Sequence, residues 1–209
     1  MEKIYQQLNS FKVVPVIAID TIESILFLGD ALIEGGLALA EITFRTPIAA
    51  QAIKKLKSER PEMLLGAGTI LSVDELKIAQ DNGASFGVAP GFNPKIVEEA
   101  LRIGFSFMPG IMTPSDIESA LNFGLRILKF FPAEACGGVK MLKSIAAPYL
   151  HTGIKFNPTG GINAQNFMSY LELASVLAVG GTWIAKREDI ASGNWDQIKQ
   201  NCQLVTKSF

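Results

Sequence analysis

The chain has 209 residues, 48% of them hydrophobic and 19% charged, with a formal net charge of −1 and a pI of about 5.9. This is the balance of a folded globular chain, long enough for one domain with a full core. It argues against a nucleic-acid partner, because no basic stripe is present to neutralise a phosphate backbone, and Lys54-Lys55-x-Lys57 reads as the solvated face of a helix. No apolar run reaches the eighteen or so residues of a membrane span, so no membrane partner is expected. The first residues, Met1-Glu2-Lys3-Ile4-Tyr5, are too polar for a signal peptide. Cys136 and Cys202 lie far apart without metal-ligand spacing, as expected of reduced thiols in a cytoplasmic protein. The single histidine, His151, sits in a loop-like stretch, whereas zinc sites want several histidines or cysteines. It carries no assigned role, and no metal site is expected.

In chain order, residues 1–12 read as a short N-terminal helix. Strand-like apolar runs then begin near Val13, Leu39, Leu64, Ser85, Ser106, Arg126, Lys155 and Ser175. Each gap between them holds a helix. Thr46-Pro47, Asn93-Pro94 and Thr113-Pro114 each read as an N-cap followed by proline at the first helical position. Ser72 with Glu75 reads as a capping box, and Leu71 with Leu76 as its hydrophobic staple. Asn82-Gly83 and Gly104 suit helix ends. Ile117, Ala120 and Leu121 mark an apolar stripe. Residues 186–209 read as a C-terminal helix.

Alternating strands and helices imply parallel strands, and strands as continuously apolar as Val13-Val14-Pro15-Val16-Ile17 are buried on both faces. Eight such units predict an α/β fold: a single-domain (β/α)8, or TIM, barrel over residues 1–209, with its strands and helices within 13–185. An open doubly wound sheet is the alternative. It usually carries a Gly-rich turn after its first strand, and Ala18-Ile19-Asp20-Thr21 has none.

Chemistry in such a barrel collects at the C-terminal ends of the strands. Strand two ends Glu41-Ile42-Thr43-Phe44-Arg45, and the period of two puts Glu41, Thr43 and Arg45 on one face. A buried carboxylate there suits a proton shuttle; the alternative is a structural Glu41–Arg45 ion pair. Strand three ends Gly66-Ala67-Gly68-Thr69, where glycine permits close approach and Thr69 offers a hydroxyl. Strand four ends in Ala89-Pro90-Gly91, with Pro90 as a possible apolar wall. Strand six, Arg126-Ile127-Leu128-Lys129-Phe130-Phe131-Pro132, puts a lysine inside an apolar run, with Phe131 on the same face. A buried cation costs several kcal/mol unless it is paired or neutralised. A neutral amine in an apolar pocket is a nucleophile toward ketones, which points to Schiff-base chemistry; the alternative is a lysine that snorkels from a strand end. Strand seven ends Pro158-Thr159-Gly160-Gly161, with Asn163 as a helix cap, and strand eight ends Gly180-Gly181-Thr182. Two glycine pairs at adjacent strand ends expose backbone N–H groups and point to a phosphorylated ligand.

These motifs resemble one family, the bacterial 2-keto-3-deoxy-6-phosphogluconate (KDPG) / 4-hydroxy-2-oxoglutarate (KHG) aldolases. Val13-Val14-Pro15-Val16-Ile17, Glu41-Ile42-Thr43-Phe44-Arg45-Thr46 and Gly66-Ala67-Gly68-Thr69 carry the resemblance. So do Lys129-Phe130-Phe131-Pro132-Ala133-Glu134, Pro158-Thr159-Gly160-Gly161-Ile162 and Gly180-Gly181-Thr182-Trp183. The resemblance implies a class I aldolase that cleaves KDPG to pyruvate and glyceraldehyde 3-phosphate, and also KHG to pyruvate and glyoxylate. It implies no cofactor and a homotrimer. By position, Lys129 looks like the Schiff-base lysine and Glu41 like the general acid/base. Arg45 and Thr69 look like the grip on the substrate carboxylate, and Gly160, Gly161, Gly181 and Thr182 like the phosphate site. Pro90, Phe131 and Thr159 look like pocket residues. The chain departs from the family's usual pattern at Phe44, Cys136, Asn157 and Thr182, which bears on substrate preference.

Three other readings compete with this one. An aldolase for the C4-epimeric phosphogalactonate substrate would share nearly every motif, and Thr159 favours the phosphogluconate enzymes only modestly. A non-catalytic phosphosugar-binding barrel would keep the glycine loops but has no need of Lys129 and Glu41 together. A metal-dependent aldolase would want a cluster of His, Asp or Glu ligands that the chain does not display.

Overall fold

The computed structural model describes residues 2–209, so Met1 of the expected N-terminal helix lies outside the described residues. Helix α1 (Glu2–Phe11) leads into β1 (Val13–Ile17), α2 (Ile25–Glu34), β2 (Leu39–Thr43) and α3 (Ala49–Glu59). Then come β3 (Leu64–Gly68), α4 (Val73–Asp81), β4 (Phe86–Val88), α5 (Pro94–Arg102), β5 (Ser106–Met108) and β6 (Gly110–Ile111). The remainder is α6 (Pro114–Asn122), β7 (Ile127–Phe130), α7 (Gly138–Ala146), β8 (Lys155–Pro158), α8 (Phe167–Leu171), β9 (Val179–Gly181), α9 (Arg187–Ser192) and α10 (Trp195–Thr206). Every ladder between these strands is parallel. Parallel neighbours cannot be joined by a tight turn, which is why helices separate nearly all of them.

The strands form a curled α/β sheet in two hydrogen-bonded parts, β5-β4-β3-β2-β1-β9 and β6-β7-β8. Nine strand segments stand where eight strands were expected, because Pro109 interrupts the fifth. Its first half, β5, pairs with β4, and its second half, β6, pairs with β7. The Lys129 N–H donates to the carbonyl of Pro109 itself, and the Gly110 N–H to that of Gly91. The eighth run also starts later than the sequence indicates. Around Val176 the chain pairs with Phe156 of β8, and only at Val179 does it join β1. A further bridge, Thr159 to Gly180, ties the end of β8 to β9.

Strand alternation sorts the core into two layers. Ile17, Ile42, Leu65, Leu128, Phe130 and Phe156 pack outward against the helices. Val14, Leu39, Leu64, Phe86, Val88 and Met108 point to the concave side, where Leu8 of α1 joins them. Each such buried side chain contributes about 1.5–3 kcal/mol of transfer free energy. Glu41, Lys129 and Asn157 occupy the inward positions of β2, β7 and β8, above that apolar floor.

The helix signals divide. Asn93 caps α5 through the Lys95 N–H, and Thr113 with Asp116 forms a complete capping box on α6. Ser72 accepts from the Glu75 N–H, but the Glu75 carboxylate accepts from Leu71 rather than from Ser72. Leu71 is 59% exposed, so no staple forms. Thr46-Pro47 caps nothing, since α3 begins at Ala49 and the buried Thr46 hydroxyl has no hydrogen-bond partner. Asn163 caps a turn through the Gln165 N–H, and α8 begins at Phe167. Residues 186–209 hold two helices, because Gly193, at φ +70°, ends α9 in a left-handed turn.

Candidate active site

Lys129 and Glu41 meet on the concave face. The lysine Nζ lies 3.5 Å from Glu41 Oε1, with side chains 5% and 1% exposed. Neither carboxylate oxygen of Glu41 accepts a hydrogen bond of good geometry from any described protein group. A buried carboxylate is tolerated when a cation compensates it, and here the cation is Lys129. The Lys129 Nζ also stands 5.3 Å from the centre of the Phe131 ring, within reach of its negative face.

Glycine makes room for this pair. A Cβ at Gly68 would overlap Glu41 Oε1, and one at Gly66 would overlap the Phe86 ring. The carboxylate therefore lies over β3 where that strand has no side chain. On the other flank, Gly110 is the register partner of Lys129, and a Cβ there would overlap the backbone of Pro90. Pro90 thus packs on the β6 backbone, which lies between it and the lysine strand.

Arg45 lies beyond the end of β2, in a turn, so strand alternation stops at Thr43, whose hydroxyl donates to the Ile17 carbonyl at 2.8 Å. The exposed Arg45 reaches across to β3, its Nε donating to Thr69 Oγ1 at 3.1 Å. Glu41 and Arg45 make no ion pair. Thr69 sits at φ +58°, a left-handed conformation that a β-branched residue adopts only at a cost of about 1–3 kcal/mol. In that conformation its hydroxyl accepts from Arg45.

Arg45, Gly161 and Thr182 line one cleft of about 610 Å³, together with Lys186 and Arg187. Arg187 is engaged by Asp20, with Nη2–Oδ1 2.5 Å and Nε–Oδ2 2.6 Å, which holds the Asp20 carboxyl below its usual range. Lys186 has no carboxylate at ion-pair distance among the described residues, so it leaves the cleft a positive charge that sequence reasoning missed. Gly160 and Gly161 take φ +101° and +80°, which only glycine adopts freely. Gly160 packs on Pro132 and on the Phe131 ring, whereas Gly181 makes room for the Trp183 ring. Thr159 fills the place a Cβ of Gly180 would take, and its buried hydroxyl is unpartnered.

Asn157 was also missed as a site residue. It is the register partner of Lys129, 1% exposed, and neither its amide nitrogen nor its oxygen meets a hydrogen-bond partner among the described residues. The signal lay in the alternation of β8, where Lys155, Asn157 and Thr159 share one face while Phe156 packs outward. A separate cavity of about 570 Å³, lined by Tyr5, Arg126 and Lys155, lies beside α1 and includes neither Lys129, Glu41 nor Asn157. Among the described residues no cluster of His, Cys, Asp and Glu could hold a metal ion, and no helix is long and apolar enough to cross a membrane.

A parallel α/β scaffold that buries a lysine against a carboxylate, below a cleft with unpaired positive charge, defines a class: enzymes that work on small carbonyl compounds through a lysine amine. The chain belongs to the KDPG and KHG aldolase family, whose model it matches over residues 4–201. It is 45% identical to the 2-dehydro-3-deoxy-phosphogluconate aldolase of Haemophilus influenzae, over 94% of this chain and 92% of that one. It is 39% identical to the KHG/KDPG aldolase of Escherichia coli, over 91% and 89% of the two chains. Among solved structures, it superposes with TM-score 0.93 and 36% identity on the KDPG aldolase of Legionella pneumophila, which holds pyruvate captured as a covalent carbinolamine intermediate. That alignment covers 97% of each chain.

Proposed function

We propose that this chain is a class I aldolase that cleaves KDPG to pyruvate and glyceraldehyde 3-phosphate, and KHG to pyruvate and glyoxylate. The observation that carries the reading is the buried Lys129–Glu41 pair, whose carboxylate has no other protein partner. Arg45 with Thr69 grips the substrate carboxylate. Backbone N–H groups of Gly160, Gly161 and Gly181 and the Thr182 hydroxyl take the phosphate, and Pro90, Phe131 and Thr159 bound the pocket.

Lys129 passes its proton to Glu41, and the freed amine adds to the C2 ketone, giving a carbinolamine. Glu41 returns that proton to the C2 hydroxyl as water leaves, giving a protonated imine, whose cation draws in the electron pair of the C3–C4 bond. As that bond breaks, Glu41 takes the proton of the C4 hydroxyl and the aldehyde departs. The enamine left on Lys129 is protonated at C3 by Glu41, directly or through water, and water releases pyruvate from the imine. Binding at the distant phosphate helps position the reacting carbons.

The same reading takes residues 1–209 as one domain and joins the two sheets into one closed (β/α)8 barrel. The shared Pro109 strand and the Thr159–Gly180 bridge support that closure. It takes the assembly as a homotrimer, so sedimentation should give about three times the 22.6 kDa chain mass. The free thiols of Cys136 and Cys202 fit the reducing cytoplasm.

The test is borohydride reduction in the presence of pyruvate, followed by peptide mass spectrometry. A reduced pyruvyl adduct on the Lys129 peptide is expected. No adduct, under conditions where pyruvate binds, would overturn class I chemistry.

A further inference from the structure

Beside the Gly160-Gly161 loop, an acidic side chain is built into the wall of an anion site, where a carboxylate should repel the ligand. Glu134 follows β7, and its backbone N–H donates to the Gly160 carbonyl at 3.0 Å, while that of Ala133 donates to the Thr159 carbonyl at 2.8 Å. Its Cβ and Cγ lie 2.6 and 2.8 Å from where a Cβ of Gly161 would stand. The side chain therefore occupies the space that glycine leaves in the loop.

The Glu134 carboxylate turns away to a phenol. Tyr170 Oη, from the fully buried Tyr170 of α8, donates to Glu134 Oε1. Burial first, and then this carboxylate, push the Tyr170 phenol up, which keeps it a protonated donor at any working pH. The start of α7 flanks the pair, because a Cβ at Gly138 would stand 3.1 Å from Glu134 Oε1 and 3.4 Å from Tyr170 Oη, while Glu134 itself stays exposed to solvent. Glu134 thus ties the segment after β7 to the glycine loop after β8 through its backbone N–H, and to helix α8 through its carboxylate.

We infer that Glu134 and Tyr170 are a positioning pair that presets the Gly160-Gly161 loop for the phosphate of the substrate. The inference rests on reading that loop as the phosphate site. The carboxylate accepts from the buried phenol and is otherwise screened by solvent, so it leaves the loop N–H groups free at little electrostatic cost. Without the bond, the loop keeps its backbone bonds to Ala133 and Glu134 but loses this anchor, the ligand must supply the remaining order, and affinity for a phosphorylated ligand falls. An unphosphorylated substrate of the same enzyme gains nothing from the loop and is indifferent to the pair.

Tyr170→Phe, which keeps the buried ring, and Glu134→Gln, which keeps the shape, separate these effects. For each, kcat and KM are measured with KDPG and with KHG, alongside inhibition by inorganic phosphate and a thermal melt. The KM for KDPG and the phosphate inhibition constant should each rise about three- to tenfold, a part of the worth of one charge-assisted hydrogen bond, while kcat/KM for KHG stays within about twofold. Equal losses with both substrates, or no change in folded variants, would overturn the pair's role. Wild-type enzyme that phosphate does not inhibit would instead overturn the phosphate reading, and the pair's role with it.

Discussion

Lys129 and Asn157 are Cα partners on the neighbouring parallel strands β7 and β8, so their side chains leave the sheet side by side. The lysine has Glu41 as a partner, whereas the Asn157 amide has no hydrogen-bond partner among the described residues. A buried amide without a protein hydrogen bond costs about 1–3 kcal/mol. The group that can use it is whatever sits on the lysine: the C2 hydroxyl of a carbinolamine, or the water it releases. Asn157→Leu, of similar volume, should therefore raise the stability measured by urea unfolding by about 1 kcal/mol. It should lower kcat/KM by about tenfold. A variant that is less stable and fully active would show the amide to be structural.

Removing one member of the buried pair leaves the other uncompensated. Lys129→Ala should abolish cleavage and also cost about 3–5 kcal/mol, because the Glu41 carboxylate is left buried and alone. The double variant Lys129→Met with Glu41→Gln holds no buried charge there and should regain most of that stability while remaining inactive. Turnover assays and denaturant melts on the three proteins check this; comparable melts for single and double variants would mean that the pair is not electrostatically coupled. Glu41→Gln alone keeps the amine and should still form the reducible pyruvate adduct, with turnover down about 10²–10⁴-fold. Wild-type turnover in that variant would remove Glu41 from the mechanism.

What could be read along the chain was what local chemistry decides. The Asn93 and Thr113 caps act through neighbours two or three residues away, and both stand as expected. Lys129 betrayed itself as a cation in an apolar strand, and strand alternation then located Glu41 on an inward face. What could not be read depends on partners distant in sequence. Thr46-Pro47 looks like a cap, yet the turn that carries Arg45 to Thr69 delays α3 to Ala49. The eighth strand looks continuous from Ser175, yet its first residues pair with β8 and only the later ones with β1. The Glu134–Tyr170 bond spans 36 residues and leaves no periodic trace.

The two thiols should behave differently. Cys202 is fully buried on α10, and burial pushes its thiol up to about 12 from an ordinary value of 9.0, whereas Cys136 is half-buried. Alkylation of the native protein should therefore modify Cys136 alone, with Cys202 reacting only on unfolding. Because the folded value is the higher one, the unfolded chain releases this proton first. The stabilisation is complete below pH 9 and is lost as pH rises from about 9 to about 12. Cys202→Ala should flatten the fall of unfolding free energy over that range by about 1.4 kcal/mol per pH unit, one proton's worth. An unchanged slope would mean that the thiol ionises equally in both states.

Gly66 and Gly68 stand two residues apart on β3 and face the same side, yet they make room for different things: a core ring for Gly66 and the Glu41 carboxylate for Gly68. Alanine at 66 must displace Phe86, which is fully buried in the apolar floor, and overpacking of this kind costs about 1–3 kcal/mol. Alanine at 68 must swing the carboxylate off Lys129. Gly66→Ala should thus lower stability while the folded fraction turns over nearly normally. Gly68→Ala should keep the borohydride-trapped pyruvate adduct but lose turnover about as severely as Glu41→Gln does. Paired melts and single-turnover assays separate the two. If Gly68→Ala retains normal turnover, the carboxylate does its work from a position other than the one it occupies over β3.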